Sequence, residues 1–135
     1  MQLNITRTNS DLPLPMYATP GSVAFDLSAA EYVFIRPQET VLIPTGMIIE
    51  VPKGFFLMIA LRSSLPRRKS LIMPHGVGII DQDYCGPKDE IKVQVYNASN
   101  NPVPIDAGER IAQGLIIPII RAEWNETIIN KPTRR

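Results

Sequence analysis

The chain has one cysteine, Cys85, and one histidine, His75, so its sequence assembles neither an intrachain disulfide nor a zinc site of paired Cys and His ligands. Cys85 then reads as a reduced thiol in a cytosolic protein. Charge of either sign is not in excess. With 14 Lys and Arg against 13 Asp and Glu the net charge is +1, which excludes the overall basic field that drives non-specific nucleic-acid binding. Any polyanion has to be met by a local site. No apolar run approaches the roughly 18 residues of a membrane span, and Met1-Gln2-Leu3-Asn4-Ile5-Thr6-Arg7 has no basic segment leading into an apolar one. The expectation is a soluble, cytoplasmic protein without nucleic-acid or membrane partners. At 135 residues, 44% hydrophobic and 20% charged, the length suits a single domain over 1–135.

Proline, by contrast, is plentiful: 13 residues recur throughout the chain and leave few stretches long enough for a packed helix. Between them lie short β-branched and aromatic runs at 32–35, 40–43, 47–51, 55–61, 90–96 and 111–120. That is the pattern of an all-β barrel or jelly roll. Ile91-Lys92-Val93-Gln94-Val95 alternates strictly, so one face of that strand is buried. Leu115-Ile116-Ile117-Pro118-Ile119-Ile120 is apolar on both faces and holds a proline that a central strand would not tolerate. It reads either as a subunit contact, the preferred explanation, or as an interior strand. Only the polar tail at 124–135 changes character.

Four clusters put polar or glycine residues where a structural strand would not need them. In Gly21-Ser22-Val23-Ala24-Phe25-Asp26-Leu27-Ser28 a carboxylate sits between large apolar neighbours, at a semi-buried turn. Asp26 is there either as an Asx-turn acceptor or for chemistry. Leu61-Arg62-Ser63-Ser64-Leu65 follows an apolar run and offers a guanidinium fork and two hydroxyls, donors suited to phosphate; the alternative is a helix N-cap before Pro66. The adjacent Arg67-Arg68-Lys69 reads as a solvated face that also draws in anions.

In His75-Gly76-Val77-Gly78-Ile79-Ile80-Asp81-Gln82-Asp83-Tyr84-Cys85-Gly86, three glycines flank a short apolar segment, so a tightly bent backbone can bring its own N–H and C=O groups against a flat ligand. The segment is expected to form a hairpin pocket. If extended, it places Asp81 and Asp83 on one side and Gln82 on the other. A carboxylate there can orient and deprotonate water, although an ordinary hairpin would use the same residues. His75 reads as a pocket or turn residue. Ala107-Gly108-Glu109-Arg110-Ile111-Ala112-Gln113-Gly114 is a turn feeding the long apolar strand, and Gln113 offers its amide either to a neighbouring strand or to phosphate oxygens.

In this order and spacing, over about residues 13–117, the four clusters resemble the first four of the five motifs of the trimeric dUTP pyrophosphatase (dUTPase) family. The resemblance implies a jelly-roll subunit, a homotrimer with active sites between subunits, and magnesium-assisted hydrolysis of dUTP to dUMP and pyrophosphate, which sanitises the nucleotide pool and supplies the dTMP precursor. It implies that Asp81 activates the attacking water and that Tyr84 packs on the deoxyribose where a 2′-hydroxyl would clash. Backbone between His75 and Asp81, including Gly76, Gly78, Ile79 and Ile80, would read the uracil. Arg62, Ser63, Ser64 and Gln113 would hold the phosphates, and Asp26 would reach magnesium through its waters, which suits a cation that keeps its hydration shell.

The chain departs from the family pattern in three places. Ser64 stands where the family often has glycine in its second motif. The turn Gly86-Pro87-Lys88-Asp89-Glu90 is slightly longer than usual and is expected to be a surface hairpin. The fifth motif, a glycine-rich arm that closes over the nucleotide, is not found: no glycine follows Gly114. An arginine at 134 or 135 falls where that arm would begin, which favours an arm removed over a site closed by other residues. Two rival readings are dCTP deaminase, whose catalytic glutamate position is Gln94 here, and a dUTPase-like nucleotide-binding or regulatory protein with little turnover.

Overall fold

The computed structural model describes residues 1–133. Arg134 and Arg135, and with them the expected start of an arm, lie outside the described residues. The order of elements is β1 (Asn4–Arg7), β2 (Met16–Tyr17), β3 (Phe25–Ser28), β4 (Val33–Ile35), β5 (Thr40–Pro44), β6 (Met47–Glu50), β7 (Phe55–Leu61), α1 (Ser64–Lys69), β8 (Leu71–Ile72), β9 (Gly78–Ile80), β10 (Lys92–Asn97), β11 (Val103–Ile105) and β12 (Arg110–Pro118). The strands join as β2-β3-β12-β7-β9, β5-β10-β8, β1-β6 and β11-β4, the distorted jelly-roll barrel expected from the proline-punctuated β-runs.

Alternation decides what each strand buries. Phe25 and Leu27 of β3, Leu57 and Ile59 of β7, and Val93 and Val95 of β10 point inward with Ile35, Ile43, Leu71, Ile91, Ile105 and Ile111 to form one contiguous core. The strand with strict alternation is therefore buried on the expected face. Prolines sit where the ladder tolerates them: Pro104 has its exposed position on β11, a strand that among the described residues pairs with β4 alone, and Pro44 and Pro118 end β5 and β12.

Three expectations need correction. Asp26 is not on a turn; it lies inside β3 with Phe25 and Leu27 buried on either side, because the alternating pattern of this short segment makes it a strand. The segment 75–86 is not a hairpin of its own. Its strand β9 adds antiparallel to the edge of β7, with Ile59 opposite Gly78 and Leu57 opposite Ile80, and turns flank it on both sides. Asp81 to Tyr84 then form a turn closed by Tyr84 N–H donating to the Asp81 carbonyl at 3.3 Å, so the side-to-side alternation predicted for Asp81, Gln82 and Asp83 does not apply. The 115–120 run is partly interior: β12 lies between β3 and β7, and Pro118 ends the strand opposite Phe55 instead of interrupting it.

Candidate functional site

The site is positioned by the register of the central sheet. Gln113 on β12 is paired with Asp26 on β3 and with Ala60 on β7, so all three share the outer face, away from the core residues Phe25 and Leu27. Arg62 leaves the end of β7 with its N–H on the Ile111 carbonyl at 3.2 Å, and the chain turns at once into α1. Ser63 occupies the N-cap position but makes no side-chain capping bond, which leaves its exposed hydroxyl available. The helix-start reading of the Arg62-Ser63-Ser64 cluster is thus correct as local structure, and capping the helix does not use the Ser63 hydroxyl.

Asp26 is the hub. Its Oδ1 lies 3.3 Å from Arg62 Nε, and its Oδ2 accepts from Arg110 Nη1 at 3.0 Å. With only 17% of its side chain exposed, the carboxylate is shielded enough for these pairings to hold both guanidiniums in place. Beside it a hollow of about 350 Å³ is lined by Arg62, Ser64, Leu65, Arg68, Lys69, Gly108, Glu109 and Arg110. Lys69 Nζ is fixed on Glu109 at 2.6 Å and also donates to the Pro104 carbonyl at 3.0 Å. Gln113 Nε2 reaches the Leu61 carbonyl at 3.5 Å, a long bond that a better acceptor can displace. The hollow can take a polyanion. Arg110 belongs to the fourth cluster, but nothing in the sequence pairs it with Asp26, because the contact is made between the paired strands β12 and β3.

The third cluster lies elsewhere on the chain. Asp81 follows Ile80, which is opposite Leu57, so it stands level with the start of β7, whereas Arg62 leaves its far end. Six residue steps separate those levels, roughly 20 Å along a strand. Asp81, Gln82 and Asp83 line a second hollow of about 510 Å³ with Ile119 and Arg121. Gly76 turns the chain at φ +79° with its N–H on the Met73 carbonyl at 3.0 Å, and His75 beside it is exposed. Gly78 has another purpose: a Cβ there would stand 3.1 Å from Ile59 Cβ, so glycine lets β9 seat closely on β7. Ile79 points outward and Ile80 is half-buried. Gln94 lies on β10 opposite Leu42.

For a divalent cation, no group of three His, Cys, Asp or Glu side chains among the described residues forms a cage. Asp26 gives one contact to each arginine and keeps further lone pairs on each oxygen. That donor set fits a hydrated cation held at one remove, not a directly bound one.

The twelve strands among the described residues, with a carboxylate clamped between two arginines beside an anion-sized hollow, define a β-barrel protein with a candidate anion site on its central sheet. Comparison with known proteins narrows the class. The family described as dUTPase matches residues 10–135. The chain is 48% identical to the deoxyuridine 5'-triphosphate nucleotidohydrolase of Aquifex aeolicus over 84% of this chain and 75% of that one, and 42% identical to that of a Hydrogenobaculum species over 91% and 84%. The crystal structure of dUTPase from Streptococcus mutans superposes with a TM-score of 0.83 at 32% identity, covering 92% of this chain and all of that one. The chain belongs to the dUTPase family.

Proposed function

We propose that this protein hydrolyses dUTP to dUMP and pyrophosphate, as a single dUTPase-like domain. The observation that carries the reading is that Asp26 pairs with both Arg62 and Arg110, which line one anion-sized hollow, while Gln113 stands opposite Asp26 in the sheet, so that three separate motifs meet. Relatives 42% and 48% identical, named deoxyuridine 5'-triphosphate nucleotidohydrolase, supply the nucleotide. Arg62, Ser63, Ser64 and Gln113 bind the triphosphate, with Arg110 and Asp26 holding the guanidinium array in place. Asp81 takes the proton of a water whose oxygen attacks the α-phosphorus. The bond from that phosphorus to the α,β-bridging oxygen breaks, and pyrophosphate leaves. Backbone at His75, Gly76, Gly78, Ile79 and Ile80 reads the base, and Tyr84 stacks on the sugar. Magnesium, when bound, would supply charge neutralisation at the triphosphate, and Asp26 is the residue that would help hold it, through water.

The distance between the two clusters argues for a shared site. Asp81 and Arg62 stand at opposite ends of β7 in one chain, so a centre that uses both takes them from different copies. A surface for assembly is present: the pairs Met58 with Leu115, Phe56 with Ile117 and Met58 with Ile79 place five apolar side chains together on the outer face, and Ile79 is 63% exposed. This favours the subunit-contact reading of the 115–117 stretch and a homotrimer with sites between subunits. No helix among the described residues is long and apolar enough to cross a membrane; a cytoplasmic location is part of this proposal. Pyrophosphate release from dUTP with magnesium, run beside ammonia release from dCTP, tests the reading. Ammonia from dCTP would point to a deaminase, and tight dUTP binding without either product to a binding protein.

A further inference from the structure

The hydroxyl of Tyr84 is braced by a group outside the residues assigned to the site. The Tyr84 N–H closes the turn after β9, and the hydroxyl donates to the Glu90 carbonyl at 3.3 Å across the longer-than-usual turn. Glu90 is itself tied down. Its carboxylate accepts the Gly46 N–H at 2.7 Å, and the next N–H, of Ile91, donates to the Met47 carbonyl at 2.8 Å. Gly46, at φ +71°, belongs to the turn between β5 and β6, so Glu90 fastens the loop to the barrel wall. Between the two, Asp89 Oδ2 accepts the Gly86 N–H at 2.8 Å and Asp89 N–H returns to the Gly86 carbonyl at 3.0 Å. A Cβ on Gly86 would meet that carboxylate oxygen at 2.9 Å. Residues 86–89 are a self-capped turn, not a slack excursion.

We propose that Glu90 is a positioning residue that fixes the Tyr84 ring for sugar selection, with Asp89 capping the turn between them. The inference rests on the dUTP reading above. A ring that excludes a 2′-hydroxyl by shape has to be held before the nucleotide arrives, because a ring free to swing moves aside for the extra oxygen. Tyr84 is 40% exposed, so packing alone does not hold it. The hydroxyl bond and its anchor on Gly46 supply the missing restraint, a preorganisation set by residues that need not touch substrate.

The test compares kcat/KM for dUTP and UTP in the full chain and in Glu90→Ala, Glu90→Gln and Tyr84→Phe. Glu90→Ala is expected to lower the dUTP to UTP ratio about three- to tenfold, the worth of one hydrogen bond, mainly by admitting UTP, while kcat on dUTP stays within about twofold. Glu90→Gln keeps an acceptor for Gly46 and should keep the ratio. Tyr84→Phe loses only the hydroxyl and should lower the ratio as Glu90→Ala does. An unchanged ratio in Tyr84→Phe overturns the proposal even if Glu90→Ala does not fold. An unsubstituted chain that leaves dUTP intact removes the substrate reading and this inference together, whereas an active chain with unchanged ratios removes the inference alone.

Discussion

Asp26 stands directly across the β3–β12 ladder from Gln113, so residues from distant parts of the sequence share one step of the sheet. That register is enforced from beneath. Phe25 and Leu27 are buried on either side of Asp26, and a slip of one residue would turn the carboxylate into the core. The polar site is therefore as well defined as the apolar packing under it.

Asp26→Asn keeps the shape and removes the charge that both arginines share. KM for dUTP is expected to rise about tenfold, as charge-assisted bonds to Arg62 and Arg110 weaken to neutral ones. Arg110→Gln should act in the same direction, and the double variant should fall short of the product of the two effects, as coupled neighbours do. If the two losses multiply, the arginine is not held through Asp26.

Asp81→Asn should lower kcat by about 10² to 10⁴ while calorimetric binding of dUTP remains, because the amide fills the same space and accepts no proton. Near-normal turnover at saturating dUTP would remove Asp81 from the chemistry.

The sequence revealed some of this fold and left other parts obscure. The bounds of β7 could be read directly, since Phe55-Phe56-Leu57-Met58-Ile59-Ala60-Leu61 is one uninterrupted apolar run. Strand β3 reads as a turn in the sequence because four residues with a carboxylate inside carry too little periodicity to outweigh flanking glycine and serine. The same limit hid β9, whose three residues gain strand geometry from β7. At the site, the residue types were legible from the sequence, and their grouping came from the family resemblance and not from spacing or periodicity. Asp26, Arg62 and Gln113 converge through strand pairing, and Arg110 reaches Asp26 through contacts between strands far apart in sequence.

The separation of the two clusters makes a complementation experiment decisive. Asp81→Asn and Arg62→Ala are each expected to be nearly inactive as pure proteins. Unfolded together in equal amounts and reassembled, they should recover about a quarter of the unsubstituted activity, the fraction of sites that draw an intact Asp81 from one chain and an intact Arg62 from another in a symmetric assembly. Sedimentation of the unsubstituted protein should give about three chains. A mixture as inactive as its parts would place both residues of each site in one chain.

Gly114 tests whether core packing sets the site. It is directly opposite Phe25, and a Cβ there would come 2.5 Å from Phe25 Cζ, 2.6 Å from Cε2 and 3.0 Å from Leu57 Cδ1. Phe25 and Leu57 are both buried, at 5% and 0% exposure, so neither ring nor methyl can step into solvent. Gly114→Ala therefore has to push β12 away from β3 or force Phe25 off its rotamer. The expected cost is about 1–3 kcal/mol, read as an earlier urea midpoint at fixed protein concentration. Because Gln113 precedes Gly114 and pairs with Asp26, the same shift should raise KM for dUTP. Phe25→Leu in the Gly114→Ala background opens room for the new methyl and should recover part of both losses. An unchanged midpoint for Gly114→Ala alone would mean that β12 and β3 are less tightly seated than these distances require, and the register of Asp26 and Gln113 would need another source of precision.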